Sequence, residues 1–115
     1  MSYKNEKVQS LLMDYVDNIM NIYGNHIRRI ILYGSYARGD FREDSDIDIM
    51  ILLNISEMDI KAYRHQLSDV TFDFNMDNDI DIKPIAKSEE QFLYWLSAYP
   101  FYQNVDKEGI VLYAA

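Results

Sequence analysis

Two aspartates one residue apart, Asp46 and Asp48, open an apolar run. Ten residues ahead of them stands the pair Gly34-Ser35, and a further acid, Asp81, lies downstream. On an extended chain, residues i and i+2 point to the same face. The two carboxylates therefore stand side by side and repel, and one tends to take up a proton. A bound Mg²⁺ relieves that repulsion, because a hard cation takes oxygen ligands from carboxylates and phosphates together. A third carboxylate from a neighbouring strand, such as Asp81, completes a two-metal site, where one ion activates an attacking oxygen and the other holds a triphosphate. Gly34-Ser35 suits the anion. Glycine lets backbone approach a phosphate, and a hydroxyl with N–H groups at a helix start can hydrogen-bond its oxygens. Arg38, one helical turn past Ser35, can face the same anion.

Each part alone has an ordinary meaning: a turn for Gly-Ser, an exposed strand edge for Asp-x-Asp, a solvated charge for Arg38. A calcium loop is excluded. The run Asp44-Ser45-Asp46-Ile47-Asp48 begins like an EF-hand but has Ile49 and Ile55 where Gly and Glu are required. The run Asp77-Asn78-Asp79-Ile80-Asp81 fails likewise, with Ile82 and Ser88.

The elements that must position these groups follow from periodicity. Apolar residues at steps of three and four predict an amphipathic helix over 5–23, with Gly24-Asn25 as its stop. HIRRIILY (26–33) predicts a strand, and a short helix is expected to start near Ser35. DIDIMILL (46–53) predicts the strongest strand, covered on both faces at its far end. A helix is expected over 56–76, capped by Ser56, and a third strand over 79–85, stopped near Pro84. Ser88-Glu89-Glu90-Gln91 is a capping signal for a helix over 88–99, and 109–113 predicts a last short strand. The alternation of helix and strand argues for one α/β or α+β sheet with helices against it.

The chain has 115 residues, 49% hydrophobic, which fits a single domain spanning 1–115. At that size it has no room for a second substrate domain, so a large acceptor is expected to be a separate molecule. It carries 11 Lys+Arg against 19 Asp+Glu, a net charge of −8. That balance disfavours long nucleic acid, whose binding needs many basic phosphate contacts, and suits divalent cations and, through them, a nucleoside triphosphate. The chain has no cysteine, which excludes disulfides, zinc-thiolate sites and cysteine nucleophiles. It shows no signal peptide, and its longest strongly apolar stretch, 47–55, is too short to span a bilayer. A cytoplasmic protein is expected, with no membrane partner.

Taken together, the motifs are far more specific than their parts. A strand leading into Gly-Ser, ten residues, then Asp-x-Asp entering an apolar strand resembles the DNA polymerase β-like nucleotidyltransferase superfamily. The stretch GSYARGDFREDSDIDIMI, with the ending EGIVLY, is similar to the minimal nucleotidyltransferases of the MntA type, found beside HEPN-domain toxins. The resemblance runs from about residue 30 to 113. It implies a small mixed sheet flanked by helices. It implies that Gly34 and Ser35 bind phosphate and that Asp46 and Asp48 ligate metal. Asp81 matches the third carboxylate, which helps activate the acceptor hydroxyl. Asp79, expected on the same strand face, is the weaker match, because Asp81 is followed by the apolar-rich IKPI. The implied activity is Mg²⁺-dependent transfer of AMP from ATP to a tyrosine hydroxyl of a partner HEPN toxin, neutralising it. Transfer to a small-molecule hydroxyl and non-catalytic toxin binding are the alternatives.

Overall fold

The computed structural model describes residues 6–42 and 44–115. Residue 5, where the first helix was expected to start, lies outside them. Helix α1 (Glu6–Tyr23) buries Leu12, Tyr15, Val16 and Ile19 along one stripe. One turn of 3₁₀ helix (Gly24–His26) follows, and strand β1 (Ile27–Tyr33) leads directly into a short helix α2 (Ser35–Arg38). Strand β2 (Ile47–Leu53) comes next, then helices α3 (Glu57–Lys61) and α4 (Arg64–Asn78). Strand β3 (Ile82–Ser88), helices α5 (Glu89–Trp95) and α6 (Pro100–Glu108), and strand β4 (Ile110–Ala114) complete the chain.

The four strands form one mixed sheet in the order β3-β2-β1-β4. β1 runs antiparallel to both β2 and β4, while β2 and β3 are parallel. β2 is thus central, and its alternation sorts residues between two layers. Ile47, Ile49, Ile51 and Leu53 join Ile30, Leu32 and Ile82 in the core under α1 and α4. Met50 and Leu52 face the other way, with Ile31, against Phe92 of α5 and Val105 of α6. This two-sided cover explains the unbroken apolar run of β2. Asp48 shares the face of Met50, so the acids lie on the α5–α6 side, at the end where β2 begins. Among the described residues no helix is long and apolar enough to cross a membrane.

Several elements depart from expectation, among them the helix expected over 88–99, which ends at Trp95 and is followed by the separate α6. The helix expected over 56–76 is two helices, broken at Ala62–Tyr63, where the Tyr63 ring packs on Tyr23 with centroids 4.9 Å apart. No Gly or Pro marks that break in the sequence. The third strand starts at Ile82 and runs through Pro84, not over 79–85. Pro84 is tolerated there because β3 is an edge strand, where a residue without an N–H can face outward. The capping signal at Ser88 is half formed. Ser88 Oγ accepts from the Gln91 N–H at 3.3 Å, but the buried Gln91 Oε1 has no hydrogen-bond partner.

Candidate active site

Gly34 is where β1 turns into α2. Its φ of 76° and ψ of −154° belong to a region open essentially to glycine alone. A Cβ at this position would overlap Asp48 Oδ2 and come within 3.3 Å of Asp48 Cγ. The sequence therefore places glycine where backbone and a carboxylate touch. Ser35 opens α2 at the same point. Gly39, with φ of 82°, closes that helix in the left-handed conformation, and its N–H donates to the Ser35 carbonyl at 2.9 Å.

The acids are brought together by backbone register. The Ile47 N–H donates to the Asp81 carbonyl at 2.9 Å, and Ile47 pairs with Ile82 in the parallel ladder. Asp46 and Asp81 therefore sit side by side, each just ahead of its strand. The side chain of Asn75, on α4, fixes this end of β3. Its Oδ1 accepts the Ile82 N–H at 2.9 Å and its Nδ2 donates to the Ile82 carbonyl at 3.1 Å. Asp48 pairs with Tyr33 on β1 and with Lys83 on β3.

The electrostatics reflect the crowding. Asp46 is held above the usual carboxylate range, first by a hydrogen bond with Asp81, then by desolvation, against the pull of Lys83. Asp48 is also raised, first by burial and next by the Asp46 charge, with Lys83 and Arg38 opposing. Tyr33 is pushed up to about 12 by burial and by Asp48, so its phenol stays protonated. Lys83 Nζ lies 3.8 Å from Asp81 Oδ2. Among the described residues no three acidic or histidine side chains are gathered tightly enough to hold an ion as they stand. The donor set itself is all oxygen and mutually repelling, which is the chemistry a hard divalent cation satisfies.

A cleft of about 420 Å³ opens over these groups. Gly34, Ser35, Asp46 and Asp48 line one wall, and Phe101, Asn104 and Glu108 of α6 line the other. Arg38 joins the two walls, with its guanidinium 3.3 Å from Asp40 and 3.5 Å from Glu108. A second cleft, of about 500 Å³, lies on the other side of the sheet between α3, α4 and β3, away from the acids.

The model of the polymerase beta nucleotidyltransferase family matches residues 16–115 of the chain. The chain belongs to the polymerase β-type nucleotidyltransferases. This nucleotidyltransferase is 34% identical over 113 residues to a protein of Methanocaldococcus jannaschii provisionally named a protein adenylyltransferase, with 91% of this chain and 97% of that one covered. Its fold is similar to that of a provisionally assigned nucleotidyltransferase from Sulfolobus solfataricus, with a TM-score of 0.63 at 20% identity, covering 94% of this chain and 81% of the other. It is also similar to a chain of a toxin–antitoxin MntA–HpeT crystal structure, with a TM-score of 0.56 at 17% identity, covering 89% and 73%. The resemblance to MntA-type minimal nucleotidyltransferases, read from the Gly-Ser and Asp-x-Asp stretch, is borne out. So is the mixed sheet with helices on it.

In this nucleotidyltransferase Gly34, Ser35, Arg38, Asp46 and Asp48 line one cleft. Asp81 reaches Asp46 from beside it, although it faces a neighbouring hollow with Asp44 and Ser45. Asp79 is not on a strand face. It is the left-handed C-cap of α4, at φ 52°. Sequence reasoning missed α6 and its cleft-facing Phe101, Asn104 and Glu108. The available signal was Pro100, which favours the first turn of a helix. The extended Tyr99 before it (φ −120°, ψ 123°) is what a following proline imposes. Lys83 was missed too, although it lies two residues past Asp81 and so on the same strand face.

Proposed function

We propose that this nucleotidyltransferase moves AMP from ATP onto a hydroxyl of a separate protein, a tyrosine of a HEPN-domain toxin, with cleavage of the α–β phosphoanhydride and release of pyrophosphate, and so acts as its antitoxin. The observation that carries the reading is the convergence of Asp46, Asp48 and Asp81 beside a glycine whose missing side chain leaves room for the Asp48 carboxylate. Support for the acceptor class comes from the protein adenylyltransferase name of the full-length relative and from the toxin–antitoxin assembly whose chain shares the fold. Asp46, Asp48 and Asp81 are the residues to hold Mg²⁺, two ions in the full site. Mg²⁺ held there would supply polarisation of the phosphates and would favour ionisation of the attacking hydroxyl.

The chain's own groups have separable tasks. Gly34 and Ser35 receive the phosphates on backbone and hydroxyl, and Arg38, at the cleft wall, balances their charge. Asp81, hydrogen-bonded to Asp46 beside the cleft, is the carboxylate assigned to accept the acceptor's proton. Long nucleic acid is not the acceptor, because a chain of net charge −8 repels a polyanion. The test is mass spectrometry of a co-expressed HEPN partner. The expected result is one or more AMP additions on tyrosine with the wild type and none with Asp46→Asn. A partner that is neutralised equally by Asp46→Asn and carries no added mass would instead assign stoichiometric binding.

A further inference from the structure

Helix α6 leaves one large apolar side chain in water beside the chemistry. Phe101 is 46% exposed and lines the same cleft as Gly34, Ser35, Asp46 and Asp48. It is not loose. Its ring is braced edge-on against Tyr33, with centroids 5.7 Å apart at 85°, and against Tyr102, at 5.4 Å and 65°. Tyr33 in turn is the ladder partner of Asp48. A rigid aromatic ring thus stands one side chain away from the acids, with nearly half its surface uncovered. Asn104, three residues on and hence on the same helix face, presents an amide to the same space. Glu108, one turn further along the helix, also lines the cleft and is engaged by Arg38.

We propose that α6 is the nucleobase subsite, with the base stacked on Phe101 and its polar edge read by Asn104. The inference rests on the nucleotide reading of the cleft given above and adds the part of the substrate that the acids and the Gly-Ser turn do not address. Phosphate-binding and metal-binding groups are blind to the base, because every nucleoside triphosphate presents the same charge to them. An exposed, braced ring supplies what they lack, since each base has a π-face that stacks on an aromatic side chain. The Asn104 amide offers one acceptor beside a donor. That pair matches N6 and N7 of adenine, whereas guanine shows two acceptors, O6 and N7, on that edge. The cleft volume of about 420 Å³ lies in the range of small-molecule sites.

The test is equilibrium binding to the full chain, with Mg²⁺ present, of ATP, GTP and the base-free probe tripolyphosphate. The wild type should bind ATP at least about ten-fold more tightly than tripolyphosphate, because stacking on one ring is worth about that factor. Phe101→Ala should lose most of that advantage and leave tripolyphosphate within about two-fold, while Phe101→Trp should keep it. Asn104→Ala should bring the ATP-to-GTP ratio towards one. Since both side chains are exposed, the variants should fold, and circular dichroism checks this. If Phe101→Ala weakens ATP and tripolyphosphate equally, or wild type binds both equally, the base subsite is wrong while the phosphate site stands. If the wild type binds neither probe, the nucleotide reading itself is wrong.

Discussion

Replacing Gly34 with alanine tests how tightly backbone and carboxylate are fitted at the centre of the site. At φ 76° and ψ −154° an alanine is strained by roughly 2–3 kcal/mol. Its methyl group would also overlap Asp48 Oδ2. Moving that carboxylate aside costs about 1 kcal/mol more, at the low end for an overpacked position. Gly24→Ala is the matched control. Gly24 also has a positive φ, 58°, but nothing lies within 4 Å of a Cβ built there. Its cost is the left-handed penalty alone, roughly 1 kcal/mol. For a chain of this size 1 kcal/mol is about 4 °C, so melting should fall by about 12–16 °C for Gly34→Ala and about 4 °C for Gly24→Ala. The functional consequences should diverge further. Displacing Asp48 by about 1 Å should cost roughly 100-fold in nucleotide transfer, whereas Gly24→Ala, remote from the cleft, should keep its rate. Thermal denaturation and labelled-AMP transfer, both at saturating Mg²⁺, measure the two effects. Equal melting shifts and equal rates in the two variants would refute the idea that the Gly34–Asp48 contact sets the site.

Asp48→Asn should abolish transfer yet fold well. Because the Asp48 pKa is raised above its ordinary 3.8 by burial and Asp46, the folded state holds that proton more tightly than the unfolded chain. Its stabilising contribution is therefore present at low pH and lost as pH rises through the raised value. In metal-free urea titrations the stability of Asp48→Asn relative to wild type should improve from about pH 4 to pH 7, and a difference that stays flat contradicts the shift. Ser35→Ala should weaken productive ATP use by about ten-fold, the worth of one hydrogen bond to a charged oxygen, read as rate at subsaturating ATP. Asp81→Asn should cost more activity than Asp79→Asn, since Asp81 meets Asp46 and Asp79 caps α4. Asn75→Ala should reproduce part of the Asp81 defect by freeing the start of β3, at a stability cost of about 2 kcal/mol for two lost hydrogen bonds. Full activity in that variant would remove Asn75 from the positioning of Asp81.

Much of the site was legible in the sequence because its signals are local. Gly34-Ser35 after a β-branched run, and alternating acids entering an apolar one, each specify a turn or a strand face within a few residues. What was not legible depends on contacts remote in sequence. The start of β3 is set by Asn75 and by the carbonyl partner of Ile47, so the strand begins three residues later than alternation alone suggested. The α3–α4 break depends on Tyr23, roughly 40 residues away, and has no Gly or Pro to mark it. Helix α6 is only nine residues long and buries Val105 alone among its own, so its apolar face spans too few turns to stand out. Its relation to the acids exists only once β1 and the helix lie together on one face of the sheet.

The division of β2 between two layers has a consequence for how this protein tolerates change. Ile49 and Ile51 serve only the dry layer under α1 and α4, where Tyr15 also donates or accepts a 2.7 Å bond with Thr71. Volume-conserving swaps there cost little, and harsher ones act through the amount of folded protein, since a loss of 1–2 kcal/mol can change cellular abundance several-fold. Asp48, Met50 and Leu52 alternate with them on the same seven-residue strand but share a layer with the cleft. Substitutions in that layer alter what the surviving molecules do as well as how many survive. Genetic screens should therefore find two phenotypic classes interleaved at adjacent codons of one strand: dosage-like alleles, rescued by overexpression, at odd positions from Ile47, and alleles that extra protein does not rescue at the even ones.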